Sequence, residues 1–253
     1  MQQEVKVLLG NIGYATGLDG TYFGYIRYAN RFLYNPRHRQ EEVLSRFRGM
    51  VEREQPDLVC AVEVDHGTVH TDRVNQIQCI VPDGYAHHEN ENKYSSSSFR
   101  QRIPFFGGKG NGFVSRNQVA FEKIYLSHGA KRLVYKIQVH ENFSLYMVHF
   151  SLNYRTRHKQ LAELAQIVVQ EKNVVVCGDF NILSGRRELR SFLDKTGLRL
   201  LNEHHQKTFP AARPLVALDV FCASENVIGT LDIMPDRISD HLSVLATLSV
   251  QPS

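Results

Sequence analysis

Apolar residues fall in two rhythms along the chain. Short apolar runs predict strands at residues 5–9, 57–64, 173–180 and 242–250, because each is too short for a helix of ordinary length. The run at 173–180 has almost no polar position, so that strand is predicted to be buried on both faces; the run at 57–64 also reads as a buried strand. Residues 111–116, 132–139, 143–150, 218–224 and 227–233 are further predicted strands. Those at 132–139 and 143–150 form a hairpin around His140-Glu141-Asn142. The other rhythm is helical. Val43, Leu44, Phe47, Met50 and Val51 share one face of a helix over 41–54, stopped by Pro56-Asp57. Helices are also predicted over 72–80, 157–170 and 187–195, the last closed by Gly197. Residues 90–110 are rich in Ser, Asn, Gly and charge, and predict a long surface loop.

No repeat or low-complexity linker interrupts this pattern, so one domain over residues 1–253 is expected. Interleaved strands and helices make the chain α/β. The many strand pairs point to two sheets packed together rather than one parallel sheet.

Composition narrows the class. With 42% apolar and 22% charged residues, disorder and collagen-like structure are excluded. Thirty Lys and Arg against 26 Asp and Glu leave a net charge of +4, which suits an anionic substrate. It falls short of the dense basic face of a dedicated DNA binder. Cys60, Cys79, Cys177 and Cys222 show no C-x-x-C spacing and lie in or beside apolar runs. They are expected to be buried free thiols, which points to a reducing compartment. The segment from Met1 to Lys6 has neither the basic nor the apolar region of a signal peptide, and no apolar run reaches the ~20 residues of a membrane span. A cytoplasmic location without a membrane span is therefore expected.

Chemistry-bearing residues interrupt the ends of the predicted strands. Asn11 follows Val7-Leu8-Leu9-Gly10, Glu63 closes Leu58-Val59-Cys60-Ala61-Val62, and His149 ends Leu145-Tyr146-Met147-Val148. Gly178-Asp179-Phe180-Asn181 closes Val174-Val175-Val176-Cys177, and Ser239-Asp240-His241 precedes the last strand. Singly, each has a plain structural explanation: a salt-bridged rim residue for Glu63, an Asx-turn for Asp179, a satisfied edge histidine for His149. Together they place oxygen donors and imidazoles where grafted sites usually sit. Carboxylates and amides suit a hard cation such as Mg²⁺ or Mn²⁺, and two histidines supply groups that titrate near neutral pH.

These segments resemble the endonuclease/exonuclease/phosphatase superfamily, the DNase I-like metal-dependent phosphoesterases. The matches run in the family's order: Asn11, Ala61-Val62-Glu63-Val64, Gly110-Asn111-Gly112-Phe113-Val114-Ser115-Arg116, Val148-His149-Phe150-Ser151-Leu152, Gly178-Asp179-Phe180-Asn181, Thr208-Phe209-Pro210 with Leu218-Asp219-Val220-Phe221, and Ser239-Asp240-His241. The resemblance implies a four-layer α/β/β/α sandwich. It implies that Glu63, Asn11 and Asp240 serve Mg²⁺ (or Mn²⁺), and that Asp179 binds or activates the attacking water. It further implies that Asn181 and His149 contact the phosphate (His149 alternatively acting as general acid), and that His241 is a phosphate contact or base oriented by Asp219. One cation, two imidazoles and an amide directed at a phosphodiester would lower the barrier to in-line attack of water.

Departures from the family pattern bear on the substrate. In its abasic-site repair branch Tyr stands at the His149 position and Trp helps build the DNA pocket; this chain has His there and no Trp. Abasic-site repair is therefore disfavoured. The expected function is a Mg²⁺-dependent phosphoesterase, foremost a phosphodiesterase. Its substrate would be a small-molecule, lipid-derived or single-stranded nucleic-acid phosphoester. The alternatives are a DNA or RNA endo- or exonuclease, and an inactive family member acting as a binding module; in the last case several metal-site residues should be missing, and none is. Residues 17–39 carry Tyr25, Tyr28, Phe32, Arg27 and Arg31 among other aromatics and cations. The helical spacing of Tyr25, Tyr28 and Phe32 predicts core packing; the other reading is a substrate wall with Arg27 on a second phosphate. Arg132, or its neighbour Lys131, is a candidate cation over the site, and Lys93, Arg100, Arg102 and Lys109 are candidates for a lid.

Overall fold

The computed structural model describes residues 4–94 and 107–251. Twelve strands lie among them: β1 (Glu4–Asn11), β2 (Leu58–Asp65), β3 (His87–Asn92), β4 (Lys109–Ser115), β5 (Ala120–Tyr125), β6 (Leu133–His140), β7 (Phe143–His149), β8 (Val174–Asp179), β9 (Arg199–Leu200), β10 (Asp219–Ala223), β11 (Val227–Ile233) and β12 (Val244–Val250). They form two six-stranded mixed sheets, ordered β11-β12-β1-β2-β4-β3 and β5-β6-β7-β8-β10-β9. β1 and β2 run parallel, as do β7 and β8; the other pairs are antiparallel.

The period of two along each strand builds the layers. Val5, Val7 and Leu9 of β1, Leu58 and Cys60 of β2, and Val175 and Cys177 of β8 point between the sheets and form one core with Tyr135, Leu145 and Phe221. The intervening residues face outward. Leu8, Val59 and Ala61 pack against α2 (Arg37–Glu54) and α3 (Gln76–Ile80). Val174 and Val176 pack against α4 (Tyr154–Val168) and α5 (Arg190–Thr196). A short further helix, α1 (Tyr22–Arg27), lies between β1 and α2. The result is the expected α/β/β/α sandwich, and its central strands lack a polar face because the other sheet covers one side and helices the other. Burying each large aliphatic or aromatic side chain contributes ~1.5–3 kcal/mol, so these three cores are the main stabilising term.

The helix ends follow local chemistry. Gln55 ends α2 in the left-handed region (φ 51°), just before Pro56. The Asn153 side chain accepts from Thr156 N (3.1 Å) and caps α4. Gly197 closes α5 at φ 70°. Among the described residues, no helix is long and apolar enough to cross a membrane.

Several expectations are corrected. The loop foreseen over 90–110 begins and ends in strands β3 and β4; its serines, Arg100 and Arg102 lie outside the described residues. β3 reads His-His-Glu-Asn-Glu-Asn, an edge strand without apolar alternation, and so leaves no periodic signal. The helix expected from residue 72 starts at Gln76, because Asp72 and Arg73 take left-handed conformations (φ 51° and 59°). The segment around Tyr25 and Tyr28 is not core: Tyr22, Phe23, Ile26, Leu33 and Tyr34 are exposed.

Candidate active site

The residues singled out at strand ends converge at one end of the sandwich. On the second sheet, register sets His149, Asp179 and Asp219 side by side: His149 is the parallel partner of Asp179, and Asp219 its antiparallel partner. On the first sheet, Asn11 ends β1 opposite Val62, one residue before Glu63. Contacts between the sheets join the two rows. Asn11 Nδ2 donates to Asp179 Oδ2 (3.2 Å), and His149 Nε2 lies 3.4 Å from Asp179 Oδ2 and 3.6 Å from Glu63 Oε1.

Backbone geometry aims these groups. Glu63 is the extra residue of a β-bulge between Val62 and Val64, at φ 57°. Without the bulge its side chain would follow the alternation of β2; the left-handed turn redirects it. A non-glycine residue held there costs about 1 kcal/mol or more, and such positions cluster at functional sites. Asn111 of β4 accepts from Glu63 N (3.3 Å) and steadies the bulge. Asn181 sits at φ 53°, and its backbone N–H donates to Asp179 Oδ1 (3.0 Å). Its amide donates to Phe150 O (3.0 Å) and Asp179 Oδ2 (3.2 Å). With its amide hydrogens on these two acceptors, Asn181 braces Asp179, where a direct phosphate contact was expected. Gly178 lets β8 approach β7: a Cβ there would lie 1.9 Å from Val148 O.

His241 and Asp219 form a buried pair, with Nδ1 to Oδ2 2.7 Å. Thr208 Oγ1 accepts from the backbone N–H groups of Leu218 (3.2 Å) and Asp219 (3.3 Å), fixing the start of β10. Phe209 packs against the His241 ring at 5.0 Å between centroids. Asp240 accepts from the Tyr25 hydroxyl (2.5 Å), so α1 abuts the site through Tyr25. Ser239 Oγ donates to Asn11 O and ties the last loop to β1.

Charge is unevenly distributed. Burial pushes the Asp179 carboxyl up to about 6, and Asp219 and Glu63 add to the push against the pull of His241 and Lys131. Burial raises Asp240 too, with Glu63 contributing. Burial alone would lower His241, but Asp219, Asp179 and Asp240 outweigh it and raise the imidazole to about 10. His149 is driven well below the ordinary range by burial, then by Lys131, Lys93 and His241, so it is a neutral imidazole. Burial also works against ionised Glu63, yet Lys131, Lys93 and His241 hold its carboxyl below the usual value.

Of the two neighbouring cations named from the sequence, Lys131 stands at the site. Its Nζ bonds His149 Nε2 and lies 3.5 Å from Glu63 Oε1. Arg132, the candidate named from the sequence, donates its Nε to Leu126 O. Arg27 lies over the rings of Phe23 (5.9 Å) and Tyr28 (5.6 Å) on α1 and the turn after it. Tyr14 was not singled out in the sequence and stands in no motif; Asn111 lay in the matched segment 110–116 without an assigned role, Tyr25 was read as core or substrate wall, and Lys93 as a lid cation.

A family model for the endonuclease/exonuclease/phosphatase family matches residues 29–241. The chain belongs to that family. Its members are generally hydrolytic phosphoesterases. Solved structures share the fold across nearly the whole chain. An endonuclease/exonuclease/phosphatase from Bacteroides vulgatus superposes with a TM-score of 0.67 at 15% identity, covering 98% of this chain and 100% of that one. The human Nocturnin catalytic domain, with a bound sulfate anion, gives 0.64 at 17% identity, covering 99% and 97%. The beta toxin of Staphylococcus aureus gives 0.64 at 14% identity, covering 96% and 99%. No curated protein sequence matches the chain.

The donor set meets the needs of one kind of metal. Among the described residues, no three His, Cys, Asp or Glu side chains are gathered as a ready-made metal cage. Zinc would require such a cage, whereas Mg²⁺ takes one or two carboxylates and keeps several waters. The candidates are hard oxygens, and the thiols of Cys60, Cys177 and Cys222 are buried away in the cores. The upward shifts of Asp179 and Asp240 come first from burial, which disfavours their ionised forms, with neighbouring carboxylates adding to it against the pull of His241. A divalent cation beside them would favour the ionised carboxylates that burial disfavours.

Proposed function

We propose that the protein is a Mg²⁺- or Mn²⁺-dependent phosphodiesterase that hydrolyses its substrate by in-line attack of water. The observation that carries this reading is the convergence of strands β2, β7 and β8, which places His149 Nε2 within 3.6 Å of both the Glu63 and the Asp179 carboxylates. Glu63, with Asn11 and Asp240 nearby, would hold the cation, which when bound supplies Lewis-acid stabilisation of charge on phosphate oxygens.

The chain's own residues do the rest. Asp179, with a carboxyl near 6, is poised to take a proton from water at neutral pH. Asn181 and Asn11 hold that carboxylate in place. His241 is an imidazolium through neutral pH, its Nδ1–H on Asp219, so its Nε2–H is available to donate to a phosphate oxygen. That favours phosphate contact over the role of base. Neutral His149 and the Lys131 ammonium stand beside Glu63, where Lys131 offsets charge on the substrate.

Hydrolysis of bis-p-nitrophenyl phosphate with Mg²⁺ or Mn²⁺, with and without EDTA, tests the reading. Turnover that disappears in EDTA and returns with metal is expected; absence of metal-dependent turnover on this ester and on a panel of nucleotides, oligonucleotides and phospholipids would overturn it.

A further inference from the structure

Exposed apolar side chains are spread unevenly over the two ends of the sandwich. β1, β2, β7 and β8 all finish at the candidate site. β10 and β12 start there, since Asp219 pairs with Asp179 and Val244 with Leu9. The connections at these strand ends form the rim of the site. The one after β1, residues 12–36, exposes Tyr22, Phe23, Ile26, Leu33 and Tyr34. Four others add an aliphatic side chain each: Val69 after β2, Leu152 after β7, Leu183 after β8 and Leu215 before β10. The turns of the opposite end expose one large apolar side chain among the described residues, Val169. A single exposed leucine is ordinary. Apolar tips gathered around one site mark a surface that is covered in use.

The segment after β1 is held with its apolar tips outward. Thr21 caps α1, its Oγ1 accepting from Gly24 N (2.9 Å), and the Tyr25 hydroxyl is anchored on Asp240 (2.5 Å). Arg31 Nη1 donates to Thr16 O (2.8 Å), and the buried Asn35 amide donates to Ala15 O (2.8 Å). Arg27 lies on the same helix with its guanidinium beside the Phe23 and Tyr28 rings. Aromatic and aliphatic tips with a cation among them are the make-up of a surface that sits in the headgroup region of a bilayer.

The chemistry of the tips selects what covers them. Nucleic-acid bases stack on aromatic faces, which Tyr22, Phe23 and Tyr34 could offer. The aliphatic side chains on the other four connections have no such face and gain nothing from a sugar–phosphate backbone. A protein bound over this end would close off Glu63, His149 and Asp179. A phospholipid surface satisfies both parts of the rim: its apolar layer takes the tips, and its headgroups bring a phosphodiester to the site. The net charge of +4 adds attraction to anionic lipids.

We propose that this rim docks on a phospholipid bilayer and that the substrate is the headgroup phosphodiester of a membrane phospholipid. This names the substrate class of the candidate site and rests on the phosphodiesterase reading. Hydrolysis there adds water across one P–O ester bond. The water oxygen joins phosphorus, the bond to the alcohol oxygen breaks, and the alcohol leaves with a proton, so that a phosphomonoester remains.

Co-sedimentation of the intact protein with phosphatidylcholine–phosphatidylserine vesicles, in EDTA, reads docking apart from turnover. The wild-type protein should sediment with the vesicles. A Phe23→Ser, Ile26→Ser double variant should bind at least about tenfold more weakly, as two large apolar side chains no longer enter the bilayer. Leu215→Ser, on a separate connection, should weaken binding at least about threefold. All three side chains are exposed, so the variants should keep the wild-type melting temperature. In Mg²⁺ they should hydrolyse soluble bis-p-nitrophenyl phosphate at the wild-type rate and vesicle phospholipid more slowly. Wild-type protein left in the supernatant, or variants that sediment as well as wild type, would overturn the docking. Tighter wild-type binding to a single-stranded oligonucleotide than to vesicles, lost in the same variants, would also overturn it and assign the rim to nucleic acid. Turnover of the soluble ester without turnover of vesicle phospholipid would overturn the substrate class. Vesicle binding that weakens in the variants, with no metal-dependent turnover of either ester, would support the docking and refute the phosphodiesterase reading.

Discussion

Replacing Asp219 by Asn tests how His241 is kept charged. Asp219 is almost fully buried and lies 2.7 Å from His241 Nδ1; it is the largest influence raising the imidazole to about 10, against burial. Asn keeps the side-chain volume and removes the charge. Burial then acts with less opposition, and the imidazole returns toward or below its ordinary value of about 6.5. At pH 8 an imidazole of that value is only ~3% protonated, whereas the wild-type group is almost wholly protonated. A rate that depends on an imidazolium donor should therefore fall roughly 30-fold at pH 8 and less than about twofold at pH 6 from protonation alone. The assay is the pH profile of kcat/KM on bis-p-nitrophenyl phosphate between pH 6 and 9. The variant should lose activity as pH rises through its lowered value, while the wild-type protein holds its donor until pH approaches 10. Stability should follow the same sign. A histidine raised on folding stabilises fully below pH 6.5, and the contribution is lost as pH rises through about 10, so the variant's deficit should be largest in acid and neutral solution. A variant profile parallel to that of the wild-type protein across the whole range would refute the reasoning.

Asp179→Asn should lower kcat by ~10²-fold or more, because it removes the group placed to take the proton; wild-type kcat would exclude that role. Glu63→Gln should abolish Mn²⁺ binding in a calorimetric titration, and retained wild-type affinity would move the metal elsewhere. Arg157 and Glu188 form a buried ion pair (Nη2 to Oε2 2.5 Å), with Arg157 Nη1 also on Ser151 O and Leu152 O (2.9 Å each) behind the His149 loop. Arg157→Ala leaves Glu188 buried and unpaired, and should destabilise the fold by ~3–5 kcal/mol, lowering Tm by roughly 6–20 °C. A melting temperature within a degree or two of wild type would show that the pair is not buried as described.

The layers were legible because their cause is local. Val174-Val175-Val176-Cys177 has no polar face, and a strand of that kind needs cover on both sides. The polar residues closing β1, β2, β7 and β8 were legible for the complementary reason, since Asn11, Glu63, His149 and Asp179 break apolar runs. Their convergence was legible only through the family resemblance and not from the residues themselves, because it depends on register between strands that lie far apart in the chain: His149 beside Asp179, Asp179 beside Asp219. The bulge at Glu63 leaves no mark in Ala61-Val62-Glu63-Val64, because Glu is an unremarkable strand-end residue and the left-handed turn is imposed by Asn111 and the ladder. Lys131 and Arg132 are indistinguishable as neighbouring cations in sequence. Just before β6, Lys131 reaches His149 while Arg132 turns to the backbone carbonyl of Leu126. Tyr25 and Tyr28 misled in the other direction: helical spacing predicts an apolar face, and α1 turns much of its face outward while Tyr25 reaches Asp240.

The central claim is that one pocket, built by both sheets, grips a divalent cation on Glu63. Crystals soaked in Mn²⁺ would test it most directly through an anomalous difference map. The account predicts a peak against the Glu63 carboxylate, within reach of Asn11 or Asp240, with the Lys131 ammonium displaced from Glu63. A map in which the bound Mn²⁺ lies away from Glu63, or in which Glu63 keeps Lys131 and no peak appears at saturating Mn²⁺, would contradict it.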